Sequence, residues 1–286
     1  MISQKTLDRL SEFREESFHT SPKLRLNSAE EAIQFVNKRG FVFFWPDKDL
    51  IFPSLWSATA GDRSVPNNHD DPGHVTWGWK DQLLDKRCWF YARVLRKRNT
   101  IISLDTLPYF YAISPNYGDY KTDHLERYEQ GLLTAEAKTV YGALLRDGPL
   151  DTIALRFASN MTSKTNPYRF KRALNELQLE FKILPVGISR AGAWRYAFIY
   201  DIVPRHFAGL PEKSHRLTET KCRIKLLELY LLSVGAGKLL DVSRLFGWDI
   251  NDTEFAVKNI TAKSDDYAVL EHQNKKESWI IIKDLL

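Results

Sequence analysis

With 286 residues, 43% of them hydrophobic and 27% charged, the chain has the composition of an ordinary soluble protein of two or three domains and enough apolar material for a sizeable core. A net charge of +5 and a pI near 9.0 favour a polyanionic partner only through where the cations sit, not through their total. Cys88 and Cys222, 134 positions apart, offer neither a disulfide framework nor metal-ligand spacing; no apolar run reaches ~18 residues, and the charged start MISQKTLDRLSEFREES is unlike a signal peptide, so no cofactor, no membrane and a cytoplasmic location are expected.

Leu7, Leu10 and Phe13 fall at helical spacing and predict a peripheral helix. Ser28 is an N-cap for AEEAIQFVNKR, with Glu31 completing a capping box and Gly40 as the stop. The aromatic stretch GFVFFWPDKDLIFPSLWSATAG then holds Pro46 and Pro53, which forbid one continuous helix; a strand into Trp45 and a short segment around Leu55 and Trp56 fit it. Gly61 to Asp81 reads as a polar, turn-prone loop that gathers His69, Asp70, Asp71, His74, Trp77 and Trp79 within eleven positions. The spacing of His69, Asp71 and His74 matches no established metal-ligand pattern, so no metal is expected. Asp70, Asp71 and His74 are candidates for acid–base work, or the loop is an Asx-turn segment pinned by its indoles.

From Lys86 to Leu104 two β-rich runs meet near Arg98-Asn99, and six of the thirteen residues from Lys86 to Arg98 are basic. Strand alternation puts Trp89, Tyr91 and Arg93 on one face, which with Arg96, Lys97 and Arg98 would suit phosphates and unstacked bases; the alternative is a surface hairpin with ordinary gatekeeper charges. Asp105 to Tyr128 reads as a loop-rich connector. Thr134 caps AEAKTVYGALLRDG, and Asp151, just after Gly148-Pro149, caps a short helix with apolar Ile153, Ala154 and Phe157. After a polar run, Phe170, Ala173, Leu174, Leu177 and Phe181 mark the buried face of a longer helix. Its other side carries Lys164, Tyr168, Arg172 and Asn175, flanked by Arg169 and Lys171, a set that suits phosphates and base edges or, equally, a solvated face. Ile183–Ile188 and Trp194–Val203, joined by a turn at Ser189–Gly192, complete a winged helix.

Beyond the breaker Ala208-Gly209-Leu210-Pro211 the pattern repeats: CRIKLLELYLLSVGA, LDVSRLFGW, then DTEFAVKNITAK capped by Asp252, then a ribbon from YAVLEHQ and ESWIIIKDL. Trp194 and Trp279 pair as equivalent ribbon positions, Ala173 and Ala256 as equivalent helix positions. The expected fold is α+β, mostly α, in three tandem winged-helix units: 1–130 with the aromatic stretch, the HDDPGH loop and the basic hairpin; 131–210; and 211–286. The third has the less basic exposed face, Glu254, Lys258 and Asn259, and is expected to pack more than to read bases.

The run RYAFIYDIVPRHFAGLPE resembles the apolar-Tyr-Asp-Leu-Thr-Glu-Arg segment, followed closely by Pro, that ends the second winged helix of the AlkZ/YcaQ-type DNA glycosylases, and GPLDTIAL resembles the opening of the same unit. The resemblance covers about residues 28–282 and is strongest over 132–207. It implies a cytoplasmic, nucleoid-associated protein acting on alkylated or crosslinked purines in duplex DNA without a metal, by a Gln-apolar-Gln or Gln-apolar-Asp motif. Aligning Gly40 with the glycine before that motif puts Phe43 and Trp45 at its polar positions, and aromatic rings neither polarise water nor offset the charge that builds at C1′. The sequence ends at Leu286 where the family continues into a β-rich domain, so less enclosure of the duplex is expected. The leading reading is a DNA-binding relative of these glycosylases, with excision left to Asp70, Asp71 and His74 if it occurs. A winged-helix regulator without chemistry and a protein-interaction scaffold are the alternatives.

Overall fold

Helices make up about half of the chain in the computed structural model, which describes residues 3–116, 118–163 and 167–286, and the described strands form three small antiparallel sheets. Helix α1 (Gln4–Ser17) is capped by Ser3, and its Arg14 donates to the carbonyls of Val234 and Ala236, both at 2.9 Å, so the first helix docks on the last third of the chain. In α2 (Ala29–Arg39) the Ser28 hydroxyl accepts from Glu31 N at 3.2 Å, while the Glu31 carboxylate accepts from Asn27 N at 2.7 Å, one residue earlier than a capping box requires. Gly40 ends the helix at φ +81°, where a side chain would be strained.

Strand β1 (Phe41–Phe43), α3 (Leu55–Ala60), α4 (Val75–Leu83), β2 (Trp89–Arg93) and β3 (Asn99–Ser103) follow, in a sheet of order β1-β3-β2. Both faces of this sheet are covered. Phe41, Phe43, Phe90 and Ile102 face a core shared with the C-terminal third, while Val42, Phe44, Trp89, Tyr91 and Ile101 face Phe35 and Val36 of α2 and Trp79 of α4. Trp89 and Tyr91 are therefore interior, not the exposed aromatic face that strand alternation alone suggests; alternation shows two faces but not whether both are packed. The expected loop before β2 also contains a helix: Thr76, Trp79, Lys80 and Leu83 are its buried positions, at the +3, +4 and +7 spacing that Gly78 and the preceding turn residues obscure.

Asp105 to Tyr128 holds two short helices, α5 (Leu107–Ala112) and α6 (Asp123–Glu129). There Asp123 forms a buried ion pair with Lys182 at 2.5 Å, and the same ammonium reaches Asn116 Oδ1 at 3.1 Å, tying the connector to the ribbon that comes later. Next come α7 (Ala135–Asp147), β4 (Leu150–Asp151), α8 (Thr152–Ala158), α9 (Pro167–Leu179), β5 (Ile183–Ser189) and β6 (Ala197–Ile202), with sheet order β4-β6-β5. Asp151 caps α8 by accepting from Ile153 N and Ala154 N, both at 2.9 Å. The side of α8 that packs is Leu155, whereas Ile153 and Phe157 are exposed at 49% and 75%. Leu155 and Ala158, three apart on one side of this two-turn helix, join the core built by α7, α9 and β6.

The chain continues through α10 (Val203–His206) and α11 (Leu210–His215), which starts inside the expected breaker Ala208–Pro211 and buries Leu210, into α12 (Glu219–Val234), β7 (Ala236–Lys238), α13 (Leu239–Phe246), α14 (Ile250–Lys263), β8 (Tyr267–Leu270) and β9 (Trp279–Ile282), with order β7-β9-β8. The order helix, short strand, helix, helix, ribbon thus occurs three times, and each time the short strand pairs with the last strand of its ribbon. Ala173 and Ala256 are buried at the same point of α9 and α14, while Trp194 and Trp279 are not equivalent, since Trp194 lies in the β5–β6 turn and Trp279 begins β9. Asp249, not Asp252, caps α14, its carboxylate accepting from Asn251 N at 2.8 Å. Leu226, Leu227 and Leu231 of α12 are fully buried, each contributing about 1.5–3 kcal/mol, in a core that runs unbroken from the first sheet to the third.

Candidate nucleic-acid interface

Helix α9 sets its apolar side, Phe170, Ala173, Leu174 and Leu177, into a core with Val140 and Leu144 of α7, which leaves Tyr168, Arg169, Lys171 and Arg172 outward; Tyr168 is 76% exposed. Lys164 lies outside the described residues. Arg169 pairs with Glu136 of α7, which draws its charge aside. Lys171 and Arg172 form no ion pair among the described residues.

The turn between β2 and β3 carries the remaining expected cations, each held differently. Arg93 donates from Nε to Asn99 Oδ1 at 3.2 Å, and its backbone N–H donates to Gln178 Oε1 of α9 at 3.1 Å, which docks the hairpin on that helix. Arg98 pairs with the buried Asp47 carboxylate at 3.0 Å, and Arg96 lies 3.8 Å from both Asp47 and Asp49. Lys97 is the cation of this turn that stays exposed and unpaired among the described residues. Arg96 and Lys97 adopt φ of +51° and +59°, a strained geometry for two residues with side chains, costing about 1–3 kcal/mol each. Lys97 borders the same open cavity of about 490 Å³ as Tyr168, Lys171, Arg172 and Asn175. Three free cations, a phenol and an amide from two separate parts of the chain thus line one groove, the mixture that binds phosphates and reaches base edges.

The HDDPGH loop is built around a different set of contacts. Both oxygens of Asp71 accept from Arg63, at 2.9 and 2.5 Å, and one also accepts from Gly73 N at 2.8 Å; the guanidinium holds this carboxyl below the usual range. Arg63 in turn lies 5.0 Å over Trp56. His74 stacks on Trp77 at 5.1 Å, lies 5.8 Å from Trp45, and has Nε2 3.2 Å from Pro66 O. His69 also packs on Trp77, at 5.4 Å, and Asp70 is exposed. Among the described residues no three His, Cys, Asp or Glu side chains come together as a metal site. Phe43 is fully buried and Trp45 half-buried against Trp56, so both serve as apolar packing.

Two groups of residues had no place in the sequence reading of the site. The β5–β6 turn exposes Trp194 at 93% between Arg190 and Arg195, legible as a turn but not as a cationic-aromatic tip. Arg223, Arg244, Phe246 and Trp248 of the last third come against the Arg96–Lys97 turn across a second cavity. No local pattern in the sequence joins residues so far apart.

Comparison with known proteins gives one family and one solved structure. The family described as "AlkZ related" matches residues 26–210. No curated protein matches the sequence. The DNA glycosylase AlkZ of Streptomyces sahachiroi is similar in structure, with a TM-score of 0.54 and 12% identity over 99% of this chain and 71% of that one, a likeness of fold.

Proposed function

This chain belongs to the AlkZ-related family, and from that premise we propose that it is a duplex-DNA-binding protein of three winged-helix units, 1–130, 131–210 and 211–286, acting in DNA repair. The thrice-repeated order of elements, with the short strand always beside the last strand of the ribbon, supports the winged-helix reading. The observation that carries DNA binding is the groove in which Lys97 of the first ribbon meets Lys171 and Arg172 of α9 beside Tyr168 and Asn175. In this reading the cations take phosphates, Arg172 and Asn175 take base edges, and the Asn99-anchored Arg93 and the Asp-paired Arg96 and Arg98 fix the turn. Arg169 would contribute only on release from Glu136.

The reading favours recognition over excision. Phe43 and Trp45 supply no group to orient water, Asp71 is committed to Arg63 and Gly73, and His74 is wedged among indoles. Asp70 alone of the three acid–base candidates is an exposed carboxyl, so any excision would run through it. Fluorescence anisotropy with labelled duplex at low ionic strength tests binding, and an unchanged signal at micromolar protein rejects it. Incubation with alkylated or crosslinked duplex followed by alkali tests chemistry: strand breaks above the protein-free control that vanish in Asp70→Asn would reverse the non-catalytic reading.

A further inference from the structure

The groove over α9 does not end at Lys97. Lys97 and Leu179 also border a second open cavity, of about 460 Å³, bounded by the β2–β3 turn, α5, and the α13–α14 corner. Its volume lies within the roughly 300–1,000 Å³ of small-molecule sites. The interior is aromatic: Phe246 stacks on Trp248 at 4.3 Å with the rings 14° apart, and Phe110 faces Phe181 at 6.0 Å. Cations outnumber acids at the mouth: Lys97 and Arg244 are both exposed and neither is in an ion pair among the described residues, while the exposed Asp249 carboxylate is engaged as the cap of α14. Arg223 reaches it from α12, 4.9 Å over Trp248 and paired with Glu219 and Asp252 at 2.6 and 3.0 Å. Only 12% of that side chain is exposed, yet its Nη1 is buried with no acceptor. A buried guanidinium N–H without a partner is costly, and because Arg223 borders the cleft a small shift of its side chain would offer that N–H to a ligand oxygen or ring nitrogen.

We propose that this cleft accepts one unpaired nucleotide of a DNA strand whose phosphates lie in the α9 groove, the base meeting the aromatic wall and the unpartnered Arg223 N–H. The inference rests on the DNA-binding reading and adds to it a preference for duplex with an unstacked base. Aromatic faces and guanidinium planes take unstacked bases whatever their identity, and a cationic mouth continuous with a phosphate groove selects a nucleotide over an apolar peptide. The cleft is separate from Phe43 and Trp45, neither of which borders it. It also gives the last third of the chain a part in recognition that its weakly charged α14 does not suggest.

The experiment uses the full chain and two duplexes of one sequence, one fully paired and one with a single bulged 2-aminopurine, a fluorescent base. The wild type is expected to bind the bulged duplex about tenfold more tightly and to shield the 2-aminopurine from acrylamide quenching. Ile113→Trp fills the cleft from a half-buried wall position; it is expected to abolish the preference and the shielding while keeping affinity for the paired duplex. If that variant does not fold, Arg244→Glu at the exposed mouth decides, with the preference falling at least threefold more than paired-duplex affinity. Equal affinity for both duplexes, a bulged base open to acrylamide, or a preference that survives the variants would overturn the proposal while leaving DNA binding intact. Failure of the wild type to bind either duplex at low salt would instead reject the DNA-binding reading and this site with it.

Discussion

Lys80 is buried at 3% side-chain exposure where α4 packs against the β5–β6 ribbon. Its ammonium is 2.5 Å from Asp81, donates to the Tyr196 hydroxyl at 2.9 Å, and lies 4.7 Å over Phe198 and 5.5 Å over Tyr91. Burial lowers its pKa, and the hydrogen bond to Asp81 opposes that shift. Asp81→Asn keeps the shape but leaves the buried charge uncompensated, which costs about 3–5 kcal/mol in buried pairs; because Asp81 is 19% exposed, the lower end, ~3 kcal/mol, applies. The loss has a ceiling, since neutralising a lysine of free pKa about 10.4 at pH 7 costs about 4.6 kcal/mol. Lys80→Met removes the charge from an aromatic surround and leaves Asp81 partly solvated, so it costs ~1 kcal/mol or less. A folded pKa below the unfolded value means that the unfolded chain holds more protons just below pH 10.4, so stability rises with pH there. Asp81→Asn deepens the depression, and its deficit therefore shrinks between pH 7 and 9.5 by up to about 1.4 kcal/mol per unit. Urea denaturation of both variants at pH 7 and 9.5 measures this. A deficit under 1 kcal/mol for Asp81→Asn, a larger one for Lys80→Met, or no change with pH would refute the reasoning.

Burial lowers the pKa of His124 and of His206, so the unfolded chain binds more protons as pH falls below about 6.5; stability then declines with acid, by up to about 1.4 kcal/mol per pH unit for each, and His124→Gln flattens the slope of urea midpoints between pH 7 and 5. Gly40→Ala forces a side chain to φ +81° with its Cβ 2.8 Å from Leu229 Cδ1 and 2.9 Å from Thr106 Oγ1; a loss of about 2 kcal/mol or more is expected in thermal melts, and an unchanged melt contradicts the contact. Arg172→Ala should weaken duplex binding roughly fivefold at 0.1 M salt and Arg169→Ala less than twofold, because Glu136 already holds Arg169; equal effects in anisotropy titrations would contradict that assignment.

Much of the fold is legible wherever caps and periodicity act locally. Ser28, Thr134 and Asp151 cap the helices they announce, and Phe170 to Leu177 give the buried side of α9. What escaped depends on distant packing. The alternation in WFYAR shows two faces, but only α2 and α4 on one side and α12 on the other decide that neither is free. Leu155 rather than Ile153 or Phe157 is chosen by a core that joins Val140 of α7 before it to Tyr200 of β6, about forty-five residues after it. For the candidate groove, the residue types on α9 are readable from spacing. Which cations remain free is not, because Glu136, Asp47 and Asn99 compete for Arg169, Arg98 and Arg93 from other elements.

The central claim is that Lys97, Lys171 and Arg172 hold DNA phosphates together in one groove, and the salt dependence of duplex binding tests it most directly. Each phosphate contact contributes about 0.9 to the slope of log K against log salt, so replacing all three with alanine should make the slope shallower by about 2.7. A slope that the triple variant leaves unchanged, or a wild type that binds no duplex at low salt, would contradict it.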